Sequence, residues 1–305
     1  MNILEYASIF QSELDHQMLA KATSGWMEVN SDLLQYDGGD TVKIASIVMS
    51  GLADYSRAEG FPKGTINLTF EPHKLTQDRA RTFTLDSMDV NETNFALSAA
   101  NVMATFQNDY VIPEVDAYRY SKISALAEAA GRAKTGYTPK ETSIWNSLCE
   151  DIAEVQDTIG EDKELIITMS IPTARILNNN EKFLKGYSMI DFAKGEIFTK
   201  VQSIDNNPII KVSSSLFFTE YKFLTGAAGT EQEVGGFEKT ATAKPINWII
   251  SAKSAPAAIS KTEKVRIFDP DNNPNADAWK LDYRKYHDLW IPKNKLKGVL
   301  VNIGA

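Results

Sequence analysis

The sequence predicts an α+β fold, with helices and strands gathered in unequal clusters. Three observations predict it. Apolar residues recur at helical spacing over several separate stretches, and between them short runs alternate apolar and polar residues with the period of a strand. The two kinds of segment never settle into the regular βαβ succession of a doubly wound sheet.

Residues 3–20 place Leu4, Ala7, Phe10, Leu14 and Met18 on one helical face, and Gly25 with "NSD" ends the pattern. From Thr41 the period changes to two. "TVKIASIVM", "TINLTF" and "RTFTLD" read as strands, the first two separated by the Gly- and Pro-rich "GLADYSRAEGFPKG". This block, about Gly39 to Asp86, holds few large apolar residues. An isolated two-stranded ribbon is marginal in water, so it must lie on the rest of its chain or on a neighbour.

A long helix begins at Asp89, where Asp89 and Glu92 have the spacing of a capping box. Phe95, Ala99, Val102, Met103, Phe106 and Tyr110 form one stripe along it. It should end before Pro113, because a residue preceding proline avoids the α region. Residues 117–130 read as helical again, stopped at Gly131. A third helix spans about Lys140 to Thr158, with Ile144, Leu148, Ile152 and Val155 inward and Gly160 at its end. "ELIITMSI" is a buried strand, and Pro172 opens a helix over "PTARILNNN". Residues 185–224 alternate short strands with turns such as "DNNP", and residues 225–244 read as one long loop. "INWIISA" is a strand and "SAPAAIS" a connection. "KVRIF", the turn "DPDNNPNAD", the strand "AWKLDYRKYHDLWI" and a last strand "KGVLVNI" complete the chain.

With 305 residues, of which 43% are hydrophobic, the chain can bury a sizeable core in about two domains. Its net charge of −8 argues against a protein whose main task is to grip phosphates. One cysteine, Cys149, excludes an internal disulfide and a multi-cysteine metal site. No signal peptide and no stretch of 18 apolar residues is visible, which predicts a chain made in a cytoplasm that does not span a membrane.

Catalytic chemistry finds little support. His16, His73 and His287 are far apart and lack zinc-pair spacing. No nucleophile elbow, Walker loop or dinucleotide fingerprint occurs. "DPDNNPNADAWKLD" resembles a calcium loop at Asp269, Asp271 and Asn273, yet position 6 is Pro274 and position 12 is Lys280. Starting at Asp271 puts Asp282 at position 12 but Ala276 at position 6, so neither register works. Glu114 and Asp116 stand beside Arg119, where an ion pair or a cap accounts for them. The alternation of Trp279, Leu281 and Tyr283 with Lys280, Asp282 and Arg284 fits a strand with one apolar face better than a base-stacking platform. The expected protein is not an enzyme, uses no cofactor or metal, and works by contact.

Several runs resemble the major capsid proteins of tailed double-stranded-DNA phages and prophages. They are "LADYSR" at Leu52–Arg57, "LTQDRARTF" at Leu75–Phe83, "MDVNET" at Met88–Thr93 and "VIPEVDAYR" at Val111–Arg119, with the late "VRIFDPDNNPNADAWKLDYRKYHDLWI". The resemblance implies the shell fold shared with herpesvirus capsids and encapsulins: an N-terminal arm (1–38) and an extended β-ribbon loop (39–88). It further implies a peripheral domain with a spine helix and β-hairpin (89–135 and 260–292) and an axial domain (136–259 and 293–305). It implies an icosahedral shell of pentamers and hexamers around double-stranded DNA, a virion location, and assembly in the host bacterial cytoplasm. The implied partners are other copies of the chain, a separate scaffolding protein, a portal and a decoration protein. Only some 35 residues precede the ribbon, which points to that separate scaffold or to a processed chain. Asp54, Arg57, Glu71, Arg79 and Arg81 crowd the ribbon and are candidates for charge pairs between subunits. The alternatives are an encapsulin-like compartment and a metal-dependent enzyme using the Asp269–Asp277 loop.

Overall fold

The computed structural model describes residues 22–28, 34–36, 41–55, 57, 60–86, 102–186, 188–194, 197–270, 273 and 276–305. The predicted helix over 3–20 and the capping pair Asp89 and Glu92 lie outside these residues, as do Phe95, Ala99 and Asp271. The described chain builds two bodies with a ribbon attached to one of them.

The larger body is a sheet with strand order β5-β15-β12-β6-β9-β8-β7. Its strands are β5 (Ala133–Thr135), β6 (Leu165–Ser170), β7 (Ser188–Lys194), β8 (Ile197–Ile204), β9 (Asn207–Val212), β12 (Ile246–Ala252) and β15 (Val299–Ile303). β6 and β12, at the centre, are buried at every position, as continuous apolar runs require. The helix α2 (Ile144–Ile159) covers the sheet with Ile144, Leu148, Ile152 and Val155, all buried as the spacing predicts. Gly160 ends it at φ +92°. The turn between β8 and β9 sets both Asp205 and Asn206 at positive φ, which suits a tight hairpin. Ser170 caps the short helix α3 (Ile171–Asn178), whose first turn contains Pro172, and α4 (Glu181–Gly186) buries Phe183.

The smaller body is the antiparallel sheet β13-β14-β4, from β13 (Ala257–Phe268), β14 (Ala278–Trp290) and β4 (Gln77–Asp86). Val265, Leu281 and Tyr283 face the helix α1 (Ile112–Ala129) and bury against Val111, Ile112, Val115 and Met103. Three sequence expectations change here. β4 was grouped with the ribbon but pairs along ten positions with β14. "SAPAAIS" is no mere connection, since β13 starts at Ala257. The loop 225–244 contains a strand, β11 (Phe237–Lys239), paired with β10 (Tyr221–Phe223).

The fourth change concerns Pro113. The helix does not stop there. Residues 102–106 are helical, Gln107–Val111 form a π turn closed by Ile112 N–H to the Gln107 carbonyl, and α1 continues with Ile112 at φ −59°, ψ −49°. Proline lacks an N–H and its ring crowds the carbonyl four residues back. The wider turn just before it relieves that crowding, so the helix bends its hydrogen bonding instead of ending. The descent to Gly131, at φ +68°, agrees with the sequence.

Candidate assembly surface

The ribbon is β2 (Thr41–Met49) against β3 (Ile66–Lys74), with β1 (Leu34–Tyr36) on the outer edge of β2. Nine residues in each strand make it roughly 30 Å long. At its far end Ser50 and Thr65 close the pair: Ser50 N–H donates to the Thr65 carbonyl at 3.0 Å and Thr65 N–H to Ser50 Oγ at 2.9 Å. Beyond them the connecting loop carries Leu52, Tyr55 and Phe61, and the strand ends carry Met49 and Ile66, all exposed. Tyr55 and Phe61 meet edge to face at 5.2 Å but remain 60% and 88% exposed. Large apolar side chains gathered at the end of an extended ribbon mark a contact surface.

The root of the ribbon is fixed by two means. Val42 and Leu75 bury with Ala257, Tyr286 and Trp290 of the long hairpin. Beneath them Asp288, fully buried on β14, accepts hydrogen bonds from Thr76 N–H and Thr76 Oγ1, each at 2.9 Å, and from the Tyr118 hydroxyl. Burial, then the charge of Asp288, holds the Tyr118 phenol well above its ordinary pKa.

A second polar pin fixes the segment 22–28 to α1. Asp116 accepts from Thr23 N–H at 3.0 Å, Thr23 Oγ1 at 2.7 Å, Ser24 N–H at 3.1 Å and Ser24 Oγ. Arg119, 1% exposed, pairs with Glu28 and donates to the Ser24 carbonyl. The sequence reading set Glu114, Asp116 and Arg119 side by side as one local group. They in fact serve two places: Asp116 and Arg119 both hold the segment 22–28, while Glu114 pairs with Arg79 of β4 at 2.6 Å.

Of the candidates for charge pairs between subunits, Asp54 and Arg57 are exposed on the loop at the ribbon tip. Glu71 stands opposite Ile44 in β3, and its side chain lies outside the described part. Arg79 is satisfied within the chain. Its guanidinium donates to Glu114, to the Leu224 carbonyl at 2.7 Å and to the Gly236 carbonyl at 3.0 Å, tying β4 and α1 to the β10–β11 hairpin. Arg81 is exposed and donates to the Glu233 carbonyl at 3.5 Å. A groove of about 360 Å³ lies between these parts. The Asp269–Asp277 stretch is the turn of the long hairpin, where Asn273 Nδ2 donates to the Ala278 carbonyl at 2.7 Å. Among the described residues no group of three or more His, Cys, Asp or Glu is placed to hold a metal ion, and no helix is long and apolar enough to cross a membrane.

No protein-family model matches the chain, and no curated protein does. Solved structures do. The capsid structure of the cyanophage P-SCSP1u aligns with TM-score 0.58 over 89% of this chain and 85% of its own, at 12% identity. The asymmetric unit of the bacteriophage PhiM1 mature capsid aligns with TM-score 0.56 over 88% and 83%, at 10% identity. The chain has the fold of a phage capsid subunit. A virus-like particle from Pyrococcus furiosus also matches, with TM-score 0.52 over 98% of this chain and 99% of that one, at 10% identity.

Proposed function

We propose that the chain is the structural subunit of an icosahedral phage capsid, assembling into pentamers and hexamers that enclose double-stranded DNA. The observation that carries this reading is the ribbon: a roughly 30 Å arm, anchored at its root through a buried carboxylate, that presents exposed Leu52, Tyr55 and Phe61 at its tip. A subunit on its own gains nothing from such an arm, whereas a lattice covers its tip and pairs its edges. Scaffolding, portal and decoration proteins are the expected partners in assembly, and the subunit acts without catalysis. The match with the virus-like particle supports a second reading, a cargo-holding shell of the encapsulin kind.

Electron microscopy of the purified chain, alone and with its cognate scaffold, tests the proposal. Closed shells or rings of five and six subunits are expected. Persistent monomers under both conditions overturn it. A neighbouring terminase or portal gene favours the phage, and a neighbouring peroxidase or ferritin-like gene favours the compartment.

A further inference from the structure

The larger sheet ends in a hairpin that its neighbouring strand barely touches. β7 and β8 pair from Ser188 opposite Ser203 to Lys194 opposite Ile197. β8 pairs with β9 at two positions only, Ser203 with Pro208 and Ile204 with Asn207. Among the described residues no strand pairs with the outer side of β8 from Ile197 to Gln202, and none with the outer side of β7. The bare stretch of β8 is roughly 20 Å long.

The turns fix which backbone groups face outward. Two residues separate Lys194 from Ile197, and two separate Ile204 from Asn207. In such hairpins the pair that flanks the turn is hydrogen-bonded. Alternation then points the N–H and C=O of Ser188, Ile190 and Phe192 toward β8, and those of Met189 and Asp191 outward. On β8 it points Thr199, Val201 and Ser203 toward β7, and Lys200 and Gln202 outward, in step with Ile204, which faces β9. The hairpin is held at its base by buried Phe192 and Ile204 and by Ser188 Oγ, 2.8 Å from Ser203 Oγ. Its two edges stay open, and exposed Asp191 stands directly opposite exposed Lys200. Other long free edges are guarded: β3 contains Pro72, and β13 carries Lys261, Lys264 and Arg266.

We infer that the outer edge of β7 pairs with the outer edge of β8 in the next copy of this chain, so that the hairpins of one ring close into an antiparallel collar. The inference rests on the shell-subunit reading and names a contact within its rings. Rotation about an axis along the hairpins keeps successive copies in the same sense, so β8 of one copy meets β7 of the next antiparallel, as within each hairpin. Head-to-tail contacts of this kind close into rings. A closed sheet has no edge left, whereas a two-fold pairing of β7 with β7 would leave both β8 edges bare. Asp191 and Lys200 alternate around the collar, and opposite charges on neighbouring strands attract.

Electron microscopy of the rings or shells formed by the full chain, at a resolution that separates strands, reads the collar directly. Hairpins side by side at main-chain hydrogen-bond distance are expected. Hairpins that stand apart, or that pair two-fold through β7, overturn the inference and leave the shell reading intact. Met189→Pro, compared with Met189→Ala, is the second test. Met189 is 53% exposed, and both variants lose its side chain, but only the proline loses the outward N–H. The two are expected to unfold within about 2 °C of each other. In light scattering the proline variant is expected to need about tenfold more protein, or more, to assemble. Equal assembly of two equally stable variants overturns the inference. A proline variant that unfolds more than about 5 °C below the alanine variant shows that this N–H is bonded within the subunit, which also overturns it. No self-association of wild type at any salt overturns both readings.

Discussion

Removing one hydroxyl at the ribbon root, by Tyr118→Phe, measures how firmly the arm is anchored. The hydroxyl donates to Asp288 Oδ1 and lies 3.0 Å from Thr76 Oγ1. Asp288 is fully buried and keeps three other donors: Thr76 N–H, Thr76 Oγ1 and its neighbour Leu289 N–H at 2.7 Å. Losing one hydrogen bond to a charged group costs about 1.5–3 kcal/mol. The three remaining donors keep the loss below the ~3–5 kcal/mol of an uncompensated buried charge. About 2 kcal/mol is therefore expected, a fall in unfolding temperature of roughly 3 °C for a chain of 305 residues. The assay is thermal and urea unfolding of the unassembled subunit. Alkaline pH supplies a second readout. The folded pKa of Tyr118 is raised, so the unfolded chain releases this proton first, and stability is lost as pH rises through about 10. The phenylalanine variant lacks that contribution, so its deficit shrinks between pH 9 and 11. A deficit under about 0.5 kcal/mol that does not change over this range would refute the anchoring role.

Arg79→Ala removes the Glu114 pair and both carbonyl contacts, and is expected to cost about 2 kcal/mol and to speed amide hydrogen exchange over residues 224–236. Unchanged exchange there would show that Arg79 does not hold the hairpin. His287 is buried, and burial, then the charges of Arg119, Lys285 and Arg79, keep its imidazole well below the usual pKa. The unfolded chain takes up that proton first, so urea unfolding should show stability falling below pH 6.5, by about 2 kcal/mol between pH 6.5 and 5. His287→Phe should flatten that limb. At Glu28 burial raises the pKa, but Arg119 and Lys285 more than offset it, so its contribution is lost separately, as pH falls through about 4.5. Leu52→Ser with Phe61→Ser should leave subunit stability within about 0.5 kcal/mol of wild type while abolishing shells under electron microscopy. Gly304→Ala would set a Cβ 2.9 Å from Pro245 Cγ and 3.2 Å from its carbonyl oxygen, and should cost about 1–3 kcal/mol by thermal unfolding.

Local periodicity made much of the fold legible. The stripe Ile144, Leu148, Ile152 and Val155 is buried on α2, and the runs "LIITMS" and "INWIISA" are central strands. The partnership of β4 with β14 was not legible, because a strand carries its own alternation but no mark of a mate some 200 residues away. Pro113 misled because the rule for the preceding residue describes an α turn, and a π turn changes the geometry to which it applies. The pins at Asp116, Arg119 and Asp288 were hidden for a different reason. Their sequence neighbourhoods match those of solvated charges, and only the packing of distant segments buries them. By its sequence the apolar-poor ribbon block needs a surface to lie on, either its own chain or a neighbour, and its root rests on its own chain at Val42 and Leu75.

The pairing of β4 with β14 sets a clock on synthesis. Thr82 Oγ1 finds Asp282 across 200 residues of chain, and the ribbon root needs Asp288, Tyr286 and Trp290 from the same late strand. At ~5–20 residues per second, the ribosome needs roughly 10–40 s after releasing β4 before its partner strand emerges. Throughout that wait the ribbon has no root, and its apolar tip belongs to a chain that cannot yet fold. Contacts so distant in sequence also fold slowly. The sheet β13-β14-β4 and the root of the ribbon therefore close only after β14 has been made.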